Sequence, residues 1–223
     1  MLLSPVMPKA PSRVLLVDDH PIVGLGVETL LDGCDRFELL GKAEDHHAAR
    51  RLSTQWQPDL IILDLLLGGR DGLELISELL ENAGAASIII YSSLPEGTHA
   101  RRAFRAGARG YVMKEAGLHA LLEALETVAC GEPYASAAVK QSLLEECIGK
   151  KSPGNSRVES LSNQELHIFR LIGSGLGSLE IAAQLSISPK TVSSHRERIK
   201  NKLGLPSGRE LVRRAEDFFR AEA

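Results

Sequence analysis

Residues 60–72 read Leu-Ile-Ile-Leu-Asp-Leu-Leu-Leu-Gly-Gly-Arg-Asp-Gly, and the first five decide the fold. Leu60 to Leu63 is apolar at every position, so a strand here needs burial on both faces. That is the signature of a parallel sheet with helices on either side. Asp64 closes the run, and the glycines Gly68, Gly69 and Gly72 follow in a loop. The same grammar recurs outward from this point. Arg13 to Val17 is a run of strand formers ending at Asp18-Asp19. Phe37 to Ala43 is a second such segment, Ser87 to Tyr91 ends at Ser92-Ser93, and Gly110 to Met113 ends at Lys114. Helical spacing separates them, over Pro21–Leu31, Asp45–Gln55, a stretch to Glu81, Glu96–Ala106 and Gly117–Cys130. Pro21 suits a first turn and Asp45 an N-cap. Five strand–helix units in about 120 residues predict an α/β domain with a doubly wound, five-stranded parallel sheet.

Ligands of open parallel sheets bind outside the carboxyl ends of the strands. Here those ends carry Asp18, Asp19, Asp64, Ser92 and Lys114. Each has a plain alternative as a helix cap, a turn residue or a surface charge. Independent caps and turns have no reason to select this set at four strand ends. Close carboxylates favour a hard divalent cation between them, Mg²⁺ or Mn²⁺. Such a site can direct one carboxylate at phosphorus while an ammonium and a hydroxyl neutralise the transferred group. Asp64, on the central strand, is the expected nucleophile. A phosphatase or phosphotransferase is the rival reading of the same pocket. The haloacid-dehalogenase type, however, wants a second Asp two residues after the nucleophile, where this chain has Leu66.

The remaining composition narrows the class. The chain has 223 residues with 26 basic and 29 acidic side chains, a net charge of -3 that carries no nucleic-acid footprint as a whole. The balance is uneven, however. Residues 158–223 hold ten basic and eight acidic side chains, the rest 16 and 21. Five cations (Lys190, Arg196, Arg198, Lys200, Lys202) fall within 189–203 against the single acid Glu197. No apolar run approaches the roughly 18 residues of a membrane span. The N-terminus lacks the apolar stretch of a secretory signal. Three cysteines (Cys34, Cys130, Cys147) without metal-ligand spacing predict free thiols in a cytoplasmic protein. Residues 149–156 are polar and turn-rich, a linker, and the spacing of Val139, Leu143, Leu144 and Ile148 predicts one helix before it over Ala135–Ile148. Beyond Leu161 the spacing is helical throughout, over Asn163–Ser174, Leu179–Leu185, Pro189–Leu203 and Ser207–Phe219. The expected domains are 1–130, a linker over 131–160, and 161–223. A helix pair with an apolar stripe (Val192, Ile199, Leu203) can be purely structural, and a protein-interaction bundle is the competing reading. A basic second helix suits entry into the DNA major groove.

Both halves resemble a known family. The first resembles the receiver domain of bacterial two-component response regulators, which has a flavodoxin-like fold. The matching set is Asp18-Asp19, Asp64, Ser92, Lys114, Asp71-Gly72 and Gly107-Ala108-Arg109-Gly110-Tyr111. The second half resembles the LuxR-type helix-turn-helix of the NarL/FixJ subfamily, a four-helix domain. It does so through Leu161-Ser162, Glu165, Gly175-Leu176, Glu180-Ile181-Ala182, Leu185, Ile187-Ser188, Thr191-Val192, His195, Ile199 and Lys202-Leu203-Gly204. The resemblance implies that Asp64 is the phosphoacceptor. It implies that Asp18, Asp19, Asp64 and the Leu66 carbonyl hold the cation, and that Ser92, Lys114 and Tyr111 bind phosphate or switch. For DNA it implies Lys190, Thr191, Ser193, Ser194, Glu197, Arg198 and Lys202, and for dimerisation Leu211, Val212 and Ala215. The partners implied are a sensor histidine kinase, double-stranded DNA and a second copy of the chain, with no membrane. The sequence departs from the family pattern at Leu67-Gly68, where Met-Pro is common, and at Glu115, where Pro is common after the lysine. Neither change removes an expected ligand.

Overall fold

The structure, a computed structural model, describes residues 10–67, 70–82, 84–147, 158–185 and 187–222. Gly68 and Gly69, Ile148 and the linker stretch 149–156 lie outside the described residues, as does the N-terminal stretch 1–9. The chain divides into two compact units, Met1–Leu143 and Leu144–Ala223.

The first unit is built on five strands, β1 (Ser12–Val17), β2 (Phe37–Ala43), β3 (Leu60–Leu63), β4 (Ser87–Ser92) and β5 (Gly110–Met113). They form one sheet in the order β2-β1-β3-β4-β5, every pairing parallel. Five helices connect or follow them: α1 (Pro21–Asp32), α2 (His46–Trp56), α3 (Gly72–Asn82), α4 (Glu96–Ala106) and α5 (Gly117–Ala129). The sheet faces separate as strand alternation requires. Leu15, Val17, Ile61, Leu63, Ile88, Ile90 and Tyr111 point to one side, packed with α2, α3 and α4 residues such as Leu52, Leu75, Leu79 and Ala103. Val14, Leu16, Leu60, Ile62, Ile89, Tyr91 and Val112 point to the other, packed with Val27 and Leu31 of α1 and Leu121, Leu125 and Val128 of α5. This two-sided burial is what the unbroken apolar run at 60–63 demanded. Asp45 caps α2 as expected, accepting from the Ala48 amide at 2.7 Å, and Pro21 opens α1.

The loop after Asp64 differs from the simple glycine loop expected. Leu66–Leu67 pairs antiparallel with Arg70–Asp71 as a small hairpin, and Gly72 returns the chain onto Leu65, whose carbonyl accepts from the Gly72 amide at 3.1 Å. A Cβ at Gly72 would stand 2.8 Å from the Leu65 Cα and 3.0 Å from the Asp64 carbonyl oxygen. Glycine is therefore required here by close backbone approach, and it fixes the path of the chain immediately after Asp64.

Helix α6 (Ala137–Cys147) follows the first unit's last helix. The second unit holds α7 (Asn163–Gly173), α8 (Ser178–Gln184), α9 (Pro189–Leu203) and α10 (Gly208–Glu222) around a core that includes Leu166, Phe169, Ile172, Ile181, Val192, Ile199, Leu203 and Leu211. Ser162 and Glu165 form a reciprocal capping box at the start of α7. Ser188 caps α9, its side chain accepting from the Thr191 amide, with Pro189 in the first turn. No helix among the described residues is long and apolar enough to cross a membrane.

Helices α7 and α10 approach closely at Gly173. A Cβ there would lie 2.4 Å from the Ala215 carbonyl oxygen. That oxygen is helical backbone and cannot rotate away. Gly173→Ala forces the two helices apart, an overpacking cost of about 1–3 kcal/mol. For a unit of this size each kcal/mol lowers the melting temperature by about 4–8 °C. The expected result in a thermal scan is early melting of the C-terminal unit alone, with the first unit's transition unmoved.

Candidate functional site

The carboxyl ends of β1, β3, β4 and β5 bring Asp18, Asp64, Ser92 and Lys114 into direct contact. Asp64 follows β3 with its amide bonded to the Val17 carbonyl at 2.9 Å, which seats it beside the end of β1. One carboxylate oxygen, Oδ1, accepts from the Ser92 hydroxyl at 2.7 Å and from the Leu66 amide at 3.1 Å. The other, Oδ2, accepts from Lys114 Nζ at 2.6 Å. The same ammonium lies 2.8 Å from Asp18 Oδ2. Asp18, Asp64 and Ser92 are buried. Asp19 is the more open member, its side chain 34% exposed.

Burial sets the electrostatics. Desolvation pushes the Asp64 carboxyl above its ordinary value, and the Asp18 charge adds to that push, while Lys114 and Ser92 oppose it. Burial disfavours the Lys114 ammonium, but the Asp64 charge and the hydrogen bonds to both carboxylates outweigh it and hold its pKa above the ordinary lysine value. Lys114 is thus charged throughout the neutral range and stands between two anions.

Tyr111 is buried on β5 and its hydroxyl donates to the Leu94 carbonyl at 2.8 Å, just beyond Ser92. Burial pushes its phenol well above the ordinary value, so it remains a donor. His20 is a member of the site that the sequence reading passed over. Its Nδ1 lies 2.9 Å from Asp18 Oδ1 and 3.0 Å from Asp19 Oδ1, and its own amide donates to Asp18 Oδ1 at 2.8 Å. The signal was its place directly after the acidic pair, where it also opens α1.

The donor set fits a hard divalent cation. Three carboxylates meet at one edge, and ligand atoms of Asp18, Asp19 and His20 lie within 4.8 Å of one another. Asp18 Oδ2 is buried and stands 2.8 Å from the Lys114 ammonium, a cation it shares with Asp64 Oδ2. An oxygen in that condition is suited to a cation.

In the second unit α9 separates its residues by face. Val192, His195, Ile199 and Leu203 are buried. Lys190, Ser193, Ser194, Glu197, Arg198 and Lys202 are exposed and Thr191 is half-buried. The cations are not all alike. Lys200 Nζ is bound to Glu197, 2.9 Å from Oε2, and Lys202 Nζ lies 2.6 Å from Glu165 Oε2 at the start of α7. Ser193 and Ser194 donate back to the carbonyls of Pro189 and Lys190 at 3.0 and 3.1 Å. The Glu165–Lys202 pair links the first turn of α7 to the last turn of α9 and was not anticipated.

The dimerisation set needs correction. Leu211 and Ala215 are fully buried within the core of their own unit. The 3.6-residue stripe along α10 packs on α7, where Gly173 meets Ala215, so these two side chains are not available to a second copy. Val212 is half-buried against the same core.

Comparison with known proteins matches two family models in sequence. Residues 14–126 match the response regulator receiver domain, and 159–215 match the bacterial regulatory proteins of the luxR family. The Fimbriae Z protein of Salmonella typhimurium is 33% identical over 91% of this chain and 95% of its own length. The oxygen regulatory protein NreC of Staphylococcus carnosus is 33% identical over 90% of this chain and 94% of its own. Among solved structures, RcsB of Salmonella enterica serovar Typhimurium bound to the promoter rprA with phosphomimetic BeF3- is similar at a TM-score of 0.58. That match has 26% identity and covers 91% of this chain and 97% of RcsB.

Proposed function

We infer the function from a premise that the comparisons establish: this chain belongs to the two-component response regulators that join a receiver domain to a LuxR-type DNA-binding domain. It is a phosphorylation-dependent, DNA-binding regulator of transcription. We propose that Asp64 is its phosphoacceptor. One observation carries this: the Asp64 carboxylate is held by the Ser92 hydroxyl at 2.7 Å and the Lys114 ammonium at 2.6 Å, one on each oxygen. In the proposed reaction a carboxylate oxygen of Asp64 attacks the phosphorus of a sensor kinase phosphohistidine. The P–O bond forms, the P–N bond breaks, and the imidazole leaves. Lys114 and Ser92 are placed to take up charge on the transferred group.

Asp18, Asp19 and Asp64, with the Leu66 carbonyl, are the residues proposed to hold Mg²⁺ or Mn²⁺. When bound, the ion supplies further neutralisation of phosphoryl charge. The protein's own part is to fix Asp64, to exclude water by burying it, and to keep Lys114 protonated. The new group adds about −1.5 to −2 charges at neutral pH. Ser92 and Tyr111 are proposed to register it, since the Tyr111 hydroxyl reaches Leu94 two residues beyond Ser92.

For the output half we propose that α9 enters the major groove, with Thr191, Ser193, Ser194 and Glu197 towards bases and Lys190, Arg198 and Lys202 towards phosphates. Glu can accept from cytosine N4 and serine from several bases. We propose a homodimer on DNA, because one such helix reads few base pairs and two read paired half-sites. We propose a cytoplasmic location, where the DNA that such a regulator binds is found. A direct test is binding of the phosphorylated chain to duplex DNA across a salt series. Arg198→Ala is expected to weaken binding similarly on all sequences and to flatten the log K against log salt slope by about 1. Glu197→Ala is expected to change sequence preference with that slope retained. Binding without salt dependence would favour the interaction-module reading instead.

A further inference from the structure

Helix α9 carries a single acid, Glu197, among its cations. A helix turns by about 100° per residue, so Lys190, Ser194 and Glu197 fall in one row. That row lies opposite the buried stripe of Val192, His195, Ile199 and Leu203, and its three side chains are exposed. A lone carboxylate in the middle of a DNA-facing surface is repelled by the phosphates. Lys200 answers it. Its Nζ donates to both oxygens of Glu197, at 3.0 Å to Oε1 and 2.9 Å to Oε2. The Lys200 side chain is only 18% exposed and that of Glu197 65%. The lysine therefore lies along the flank of the helix and holds the carboxylate outward. The order of the two residues favours this, because helical side chains lean towards the N-terminus and Glu before Lys is the better arrangement.

Such a pair at the surface adds little to stability. What matters is the bonding capacity it keeps. An ammonium has three N–H groups, and each carboxylate oxygen can accept more than one hydrogen bond. Two of the N–H groups are spent on Glu197, so one donor remains beside acceptors on both oxygens. Ser193 and Ser194 differ, since their hydroxyls donate back to the carbonyls of Pro189 and Lys190 and turn only acceptor capacity outward. The Glu197–Lys200 pair thus presents a donor and acceptors side by side with their charges cancelled. A C·G base pair offers the matching pattern in the major groove, the N4 donor of cytosine next to the O6 and N7 acceptors of guanine.

We propose that Glu197 and Lys200 act as one reading unit for a C·G base pair in each half-site, Glu197 accepting from cytosine N4 and Lys200 donating to guanine. Lys200 is then a specificity-determining residue and not a phosphate contact, and it also positions the carboxylate it holds. This rests on α9 entering the major groove.

Selection of the phosphorylated full chain against a randomised duplex library reads the proposal. The wild type is expected to select a C·G pair in each half-site. Lys200→Met and Glu197→Ala are expected to relax that same position and to keep the rest of the motif. On duplexes that differ only there, the wild type should prefer C·G over T·A by about tenfold and each variant by less than about threefold. Both changes lie at the surface, and equal melting temperatures of the three proteins would show that they act on reading and not on folding. A Lys200→Met chain that selects the wild-type motif while flattening the log K against log salt slope by about 1 marks Lys200 as a phosphate contact and overturns the proposal. Variants that relax different positions, or a shared position that is not C·G, overturn it as well. A wild-type chain that selects no motif and binds duplex DNA without salt dependence overturns instead the reading of α9 on which the proposal rests.

Discussion

Asp64→Asn leaves the chain folded and takes away its ability to accept a phosphoryl group. The amide is nearly isosteric with the carboxylate, so Ser92 and Leu66 keep an acceptor at Oδ1. It has no anionic oxygen with which to attack phosphorus, and no neighbouring group can supply one. Asp18 is buried with its carboxylate committed to His20 and Lys114, and Asp19 lies at the open rim. Mg²⁺-dependent labelling by a phosphodonor is expected to fall to background, a loss of at least about three orders of magnitude for removal of a nucleophile. Label retained on Asp64→Asn would sink the assignment. Stability should move the other way. A carboxyl whose folded pKa is raised is favoured as the acid in the folded state, so its contribution is present below its unfolded value and lost as the pH climbs through the folded one. At neutral pH the wild-type chain carries this anion at a cost. Asp64→Asn is expected to melt at the same temperature as wild type or a few degrees higher at pH 7, and to lose that advantage below about pH 4. A residue whose removal abolishes function without harming the fold is held for chemistry.

How far the sequence could be read depended on how local each cause was. The strand at 60–63 is legible because four apolar residues in a row have few solutions, and the two-sided sheet follows from it. The convergence of Asp18, Asp64, Ser92 and Lys114 is legible because strand ends in a parallel sheet share one edge. The hairpin after Leu65 was not. It depends on Gly72 returning to within van der Waals reach of Leu65, a contact that no periodicity encodes. Leu211 and Ala215 show the opposite limit. Their stripe on α10 is as apolar as an interface would be, and only the close approach permitted by Gly173 shows that it is already covered. Glu165 and Lys202 lie far apart in sequence and carry no local signal of their pairing. Tyr134 was passed over because an isolated aromatic in a polar stretch looks like a loop residue, whereas its backbone bridges in parallel to Gly110 of β5.

The charge arithmetic has the same character. The net -3 hid an acidic half and a basic helix. In the folded chain the acids that matter are fewer still. Asp18 and Asp64 are buried around one ammonium, and that ammonium is what makes the arrangement tolerable.

Lys114→Met tests this directly, and its effect on stability is expected to be the largest of any change to the site. Methionine keeps the aliphatic stem, so little packing is lost and the change isolates the charge. Without Nζ, Asp64 Oδ2 and Asp18 Oδ2 lose the cation at 2.6 and 2.8 Å that separates them. Removing one partner of a buried pair typically costs about 3–5 kcal/mol, because it leaves the remaining charge desolvated and unpaired. Two carboxylates are left here, so the upper part of that range is expected in urea denaturation at pH 7. The pH dependence has a definite sign. The wild-type lysine has its pKa raised, so its contribution is complete below its unfolded value and is lost only as the pH rises through the higher folded one. It is therefore intact across the neutral range. In Lys114→Met the Asp64 carboxyl, already raised by burial, loses the cation that opposed that rise, and the deficit shrinks as the pH falls and Asp64 takes up a proton. Added Mg²⁺ should raise the melting temperature of Lys114→Met more than that of wild type, because the cation then answers a larger uncompensated charge. Equal shifts in the two proteins would mean that Asp18 and Asp64 do not hold the ion. Loss of stability that does not recover towards acid pH would mean that Lys114 acts through packing and not through its charge.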